Sequence, residues 1–137
     1  MNFTGKILVV DDEAHIRKYV TLMARTLGRP TVIEAANGQD AVAIFAREKP
    51  DLILLDINMP RMDGVETLQA IRALDRDCVI VMLTSLVNRQ TVEECARLGA
   101  NDYLRKDVPQ AEMAAQLQRV IEEEFTDEPP APPVPGP

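Results

Sequence analysis

Four apolar residues, Leu52, Ile53, Leu54 and Leu55, run straight into Asp56, and a loop rich in Pro, Met and Gly follows at once. A continuous apolar run this short, closed by polar and turn residues, reads as a strand buried on both faces. Such strands belong to parallel sheets covered by helices. A carboxylate ending one costs free energy unless something pairs with it. Two readings of Asp56 follow: it caps the next turn, as Asp often does after a strand, or groups from elsewhere in the chain come to meet it.

The rest of the chain repeats the pattern. Lys6-Ile-Leu-Val-Val10 is a first buried strand and runs into the acidic stretch Asp11-Asp12-Glu13. Ile16, Val20, Met23 and Leu27 then recur at helical spacing up to a stop at Gly28. Residues 31–35 make a short second strand. Asn37 is a candidate N-cap for a helix carrying Ala41, Val42, Ile44 and Phe45, which stops before Pro50. After the third strand a helix carries Val65, Leu68, Ile71 and Leu74 on one face. A fourth strand covers 78–83 and reaches Thr84 and Ser85. Val92, Cys95, Ala96 and Leu98 mark the fourth helix, ending at Gly99. Residues 102–105 are a shorter, more polar fifth strand. The last helix opens near Pro109 and carries Met113, Leu117, Val120 and Ile121.

Five strands alternating with five helices imply a parallel sheet covered on both faces, a doubly wound three-layer α/β sandwich. With the flavodoxin-like strand order 2-1-3-4-5, the ligand crevice lies outside the carboxyl ends of the first and third strands. Asp11, Asp12, Asp56, Thr84 and Lys106 all stand at carboxyl ends, so the fold should gather them. Residues 1–125 are expected to form one domain. From residue 126 proline dominates, and 126–137 read as an extended tail or linker.

Charge and composition remove several function classes. The chain carries 22 acidic against 15 basic residues, a net charge of −7, which argues against direct nucleic-acid binding. No segment has membrane-spanning length and the start lacks a signal-peptide pattern, so a cytoplasmic protein with no membrane partner is expected. Cys78 and Cys95 have neither metal-type spacing nor a CxxC arrangement and read as buried small hydrophobes. His15 reads as a partly exposed helical residue.

Three carboxylates at one edge are a physical problem. Two charges about 4 Å apart repel by about 4 kcal/mol at an effective dielectric of about 20. A bound cation resolves it, and hard oxygen ligands suit Mg²⁺; the weaker reading is that Asp11 or Asp12 only caps the first helix. Lys106 can place a point charge, and Thr84 a hydroxyl, on an anion at Asp56. Together the five residues describe a site for phosphoryl transfer onto a carboxylate.

The segments VVDDE at 9–13, LLDINMPRMDG at 54–64, LTS at 83–85 and GANDYLRK at 99–106 resemble the receiver domain of two-component response regulators, in order and at the family's spacing. The resemblance implies Asp56 as phosphoacceptor. It implies Mg²⁺ on Asp11, Asp12, Asp56 and the backbone carbonyl of Asn58. Thr84 would hold a phosphoryl oxygen, Lys106 would pair with another, and Thr84 and Tyr103 would form the switch. The donor would be a histidine kinase or histidine phosphotransfer protein. A downstream protein would dock on the fourth helix, fifth strand and fifth helix, with the domain a monomer or a phosphorylation-dependent dimer. A chemotaxis-like single-domain regulator is the expected form; the alternatives are the receiver of a larger regulator, or a docking module that is never phosphorylated.

One position departs from the family. Proline usually follows the lysine, often in a cis peptide, whereas Asp107 stands here, as in receivers joined to LuxR-type helix-turn-helix domains. Leu86 sits where the family varies in the rate of phosphate loss. An aspartyl-phosphate hydrolase of the haloacid-dehalogenase-like kind would need a second Asp where Asn58 stands. A flavodoxin-like cofactor binder would not carry an acidic first loop against a phosphate. A signalling domain, not an enzyme, is the reading that remains.

Overall fold

The computed structural model describes residues 2–85 and 89–125. The expected features at Leu86 and in 126–137 lie outside the described residues. Five parallel strands, β1 (Lys6–Val10), β2 (Thr31–Ala35), β3 (Leu52–Asp56), β4 (Val79–Thr84) and β5 (Asp102–Arg105), form one sheet in the order β2-β1-β3-β4-β5. Helices α1 (Ala14–Ala24), α2 (Gly38–Glu48), α3 (Gly64–Leu74), α4 (Arg89–Arg97) and α5 (Gln110–Glu124) connect and cover them. The doubly wound sandwich expected from the alternation is the fold.

Alternation along each strand divides the core into two layers. Ile7 and Val9 of β1 and Leu52 and Leu54 of β3 face the layer built with α1 and α5. Leu8, Val10, Ile53 and Leu55 face the layer built with α2, α3 and α4. That is why β3 reads as an unbroken apolar run: both of its faces are covered, and all five residues are buried. Among the described residues no helix is long and apolar enough to cross a membrane.

The structure departs from the sequence expectation in four places, one of them β4, which runs Val79–Thr84 and not 78–83. The first helix leaves α geometry at Ala24 and finishes as a 3-10 turn, Arg25–Leu27, which Gly28 ends at φ 144°. Pro109 is the N-cap of α5, not its first helical residue. Leu74, placed on the apolar face of α3 by spacing, is 58% exposed, because the helix ends there and turns away from the core.

The N-cap at Asn37 is as expected, its side chain accepting from the Asp40 amide at 2.8 Å. The other end of α2 is closed by Lys49 in the left-handed region, φ 47°. A side chain there costs about 1 kcal/mol that glycine does not. Since Lys49 is exposed, Lys49→Gly should raise the urea midpoint, a gain of about 0.5–1 kcal/mol.

Candidate functional site

At the carboxyl edge of the sheet, β1 runs into Asp11 and Asp12, β3 ends in Asp56, β4 ends in Thr84 and β5 delivers Lys106. The register aligns these ends: Val10 pairs with Leu55, Asp56 with Leu83, and Thr84 with Arg105. The Lys106 amide donates to the Thr84 carbonyl at 2.8 Å, extending the ladder by one step. The five residues expected to converge lie at one edge.

Asp11 and Asp56 are buried, at 0% and 2% exposure. Lys106 Nζ donates to Asp11 Oδ2 at 2.9 Å and to Asp56 Oδ1 at 3.1 Å. One ammonium therefore bridges two carboxylates from different strands. Burial and then the charge of Asp11 push the Asp56 carboxyl up to about 6, against the opposing pull of Lys106. Burial draws the Lys106 ammonium down, but hydrogen bonds and charge from Asp11 and Asp56 outweigh it and leave its pKa above the usual lysine value. Thr84 is buried beside this pair. Asp12 lies exposed at the rim.

Capping of the first helix by Asp11 or Asp12 fails, and capping of the next turn by Asp56 survives only as a long contact. The N-cap of α1 is Glu13, without a side-chain cap. Asp11 Oδ1 instead accepts from the Glu13 amide at 2.9 Å, an Asx-type turn that aims its other oxygen at Lys106. Asp63, not Asp56, caps α3, accepting from the Glu66 amide at 2.9 Å. Asp56 receives one long contact from the Asn58 amide, 3.4 Å to Oδ1.

Carboxylate oxygens of Asp11, Asp12 and Asp56 lie within 4.8 Å of one another. A set of hard anionic oxygens this close fits a Mg²⁺-type cation, which takes one or two carboxylates and completes its shell with water. The fit is chemical as well as geometric: one lysine leaves three carboxylates with excess negative charge.

The remaining sequence candidates fall elsewhere. His15 is exposed, 3.5 Å from Glu13. Cys78 and Cys95 are buried, and burial pushes both thiols up, away from thiolate chemistry. Tyr103, on β5, is 39% exposed beside an apolar cavity of about 210 Å³ lined by Met82, Val92, Cys95 and Ala96. The described residues contain no cis peptide, so the bond from Lys106 to Asp107 is trans. The hydrogen-bonded Arg105 guanidinium holds Asp107 below the usual carboxylate range, outside the acidic cluster.

Gly64 has a stricter role than a turn residue. A Cβ there would stand 2.2 Å from the Asp56 carbonyl oxygen and 2.7 Å from Ile57 Cα. The Gly64 amide also donates to Ile57 O at 2.8 Å, drawing the start of α3 against the end of β3. Gly64→Ala should destabilise the domain by about 1–3 kcal/mol in urea unfolding, by overpacking directly behind Asp56. Two arginines that spacing did not mark also matter. Arg17 donates to the Asp11 carbonyl at 2.8 Å. Arg72 binds Gly99 O and Asn101 Oδ1 at the opposite end of the sheet, both at 2.9 Å.

This fold and edge define a parallel α/β domain with an acidic, lysine-bridged switch point. The chain matches the Response regulator receiver domain family over residues 7–118 and belongs to it. Phosphorylation and Mg²⁺ binding are general properties of that family. Among its relatives, "Probable transcriptional regulator ycf27" of Porphyridium aerugineum is 40% identical over 116 residues, 85% of this chain and 48% of that protein. "Transcriptional regulatory protein PdtaR" of Mycobacterium tuberculosis is 38% identical over 122 residues, 85% of this chain and 59% of that one. The chain spans about half or less of the first curated relatives it matches. Among solved structures, the chemotaxis protein CheY4 of Vibrio cholerae superposes with a TM-score of 0.79 at 32% identity, covering 86% of this chain and 99% of its own.

Proposed function

We propose that the domain accepts a phosphoryl group on Asp56 from a phosphohistidine and thereby switches the binding of a protein partner. The observation that carries this reading is the meeting of Lys106 with Asp11 and Asp56 at the end of a buried sheet. A carboxylate with its pKa raised to about 6 is still ionised at neutral pH, and so remains a nucleophile. In the transfer an Asp56 oxygen bonds to phosphorus and the phosphorus–nitrogen bond breaks, and the histidine, which carries a proton from solvent on its other ring nitrogen, leaves as neutral imidazole. Lys106 would exchange its bond to Asp56 for one to a phosphoryl oxygen, and Thr84, one residue beyond the strand partner of Asp56, would take another. Asp11 and Asp12, with Asp56 and the Asn58 carbonyl, would hold Mg²⁺, which when bound supplies charge neutralisation to the transferring group.

The readout runs through Thr84 and Tyr103. The half-exposed ring stands beside the cavity between β4, α4 and β5, which gives it room to turn inward when Thr84 is drawn to the phosphate. That rearrangement alters the face of α4, β5 and α5, where a downstream partner docks in the cytoplasm. The chemotaxis relative, matched over nearly its whole length, favours a single-domain regulator. The transcriptional relatives, matched over about half, favour a receiver coupled to a further domain.

Mass measurement of the intact protein after incubation with Mg²⁺ and a small acyl phosphate tests the reading. Parent protein should gain one phosphoryl group, and Asp56→Asn none. An unmodified parent beside a labelled control receiver would sink it and leave phosphorylation-independent docking in its place.

A further inference from the structure

We propose that Arg17 is a positioning residue: it fixes the turn carrying Asp11 and Asp12 in the geometry that cation binding requires. The inference rests on the reading of that turn as a Mg²⁺ site. Asp11 is held at four points. Its amide donates to Ala35 O of β2 at 3.2 Å, Oδ1 accepts from the Glu13 amide at 2.9 Å, and Oδ2 accepts from Lys106 at 2.9 Å. Those three contacts set its amide and its carboxylate. The fourth, from Arg17 Nη1 to its carbonyl at 2.8 Å, is the one that sets the peptide leading on to Asp12.

Asp12 depends on that peptide. Its side chain is exposed, and among the described residues no hydrogen bond or ion pair holds it. Where its carboxylate can reach therefore follows from the plane of the Asp11–Asp12 peptide. Arg17 is well suited to hold that plane. It lies one turn beyond Glu13, whose carbonyl accepts its amide at 3.0 Å, and a helical side chain leans back over the preceding turn.

Arg17 also brings its charge without adding it to the site. Its Nε lies 3.4 Å from Glu34 Oε1, and its side chain is only 18% exposed. An unbalanced guanidinium beside the carboxylates would repel a cation, whereas one paired with Glu34 acts through its hydrogen bond. The planar guanidinium donates to the Asp11 carbonyl and pairs with Glu34 at once, and a lysine ammonium, a single point charge, does both less well. The arrangement ties α1, the acidic turn and the end of β2 into one unit.

The test is calorimetric titration of Mg²⁺ into the metal-free full chain, for the parent, Arg17→Met, Arg17→Lys and Arg72→Met. Arg72 holds the opposite end of the sheet, so its variant reports what a general loss of stability does to Mg²⁺ binding. Arg17→Met is expected to bind Mg²⁺ about tenfold more weakly, the usual scale for losing a group that orients a ligand. Arg17→Lys should fall between it and the parent, and Arg72→Met should bind as the parent does despite a lower Tm. An Arg17→Met affinity within about twofold of the parent overturns the inference, being smaller than any orienting group supplies. So does an equal loss in Arg72→Met. A parent that takes up no Mg²⁺ removes the underlying reading, and this inference with it.

Discussion

Asp56→Asn is expected to stabilise the metal-free protein by about 3 kcal/mol at pH 8 and to leave it unchanged at about pH 4. The Asp56 carboxyl titrates at about 6 in the folded chain against 3.8 for an unperturbed one. That gap, at about 1.36 kcal/mol per tenfold, sets the size of the effect. The sign follows from which state holds the proton more tightly. Folding raises this pKa, so the native state binds a proton that the unfolded chain has already released. The parent therefore loses stability as pH rises from about 4 through about 6, and its deficit is constant above. Asparagine has no proton to lose and escapes the loss, while Lys106 keeps its bond to Asp11. Urea unfolding in EDTA at a series of pH values reads this directly. A difference independent of pH would mean that packing, not charge, separates the two proteins. Saturating Mg²⁺ should narrow the gap, because a cation that binds the native parent stabilises it in proportion to its occupancy.

That cost explains why so much of the site was legible in the sequence. A buried strand ending in a carboxylate is an energetic anomaly visible without coordinates, and β3 is buried over its whole length as its composition requires. Element alternation and crossover rules led to the doubly wound sandwich, the strand order was taken as the flavodoxin-like one, and on that order Asp11, Asp12, Thr84 and Lys106 stand at neighbouring carboxyl ends. Local rules alone served less well. Capping logic offered Asp11 or Asp12 for the first helix only as the weaker reading, and the structure uses Glu13, with Asp11 bound to Lys106 from 95 residues away. Helical periodicity placed Leu74 in the core, and only the end of the helix and the direction of the chain beyond it leave that side chain in water. Arg17 and Arg72 escaped notice because each acts on a backbone carbonyl, and carbonyls carry no side-chain signature. Their only trace in the sequence was position: an arginine one turn after an acidic loop, and one in the last turn of a helix. Gly64 closes the segment that follows Asp56, but its contact with the Asp56 carbonyl is a matter of ångströms that no pattern records.

Lys106→Met should cost about 3–5 kcal/mol at neutral pH in the absence of metal, a large share of the 5–15 kcal/mol typical of a domain. The substitution leaves Asp11 and Asp56 facing each other in a buried site without a counter-charge, and an orphaned buried charge costs far more than an exposed pair contributes. The pH window follows from the partners. Below about 6 Asp56 takes up a proton and needs the ammonium less. The folded pKa of Lys106 is raised, so its contribution persists until pH climbs through that value, above 10.5. The loss should thus be greatest between these limits and shrink on the acid side. Adding Asp56→Asn to Lys106→Met removes one of the stranded charges. The double variant should be more stable than Lys106→Met alone, with a coupling of about 1 kcal/mol or more in the mutant cycle. Mg²⁺ should recover part of the single variant's loss, since a cation among the carboxylates supplies the charge the lysine did. Additive behaviour in the cycle would show that Lys106 and Asp56 are not energetically coupled. An unchanged urea midpoint for Lys106→Met in EDTA would show that the bridge at the edge of the sheet carries no stability.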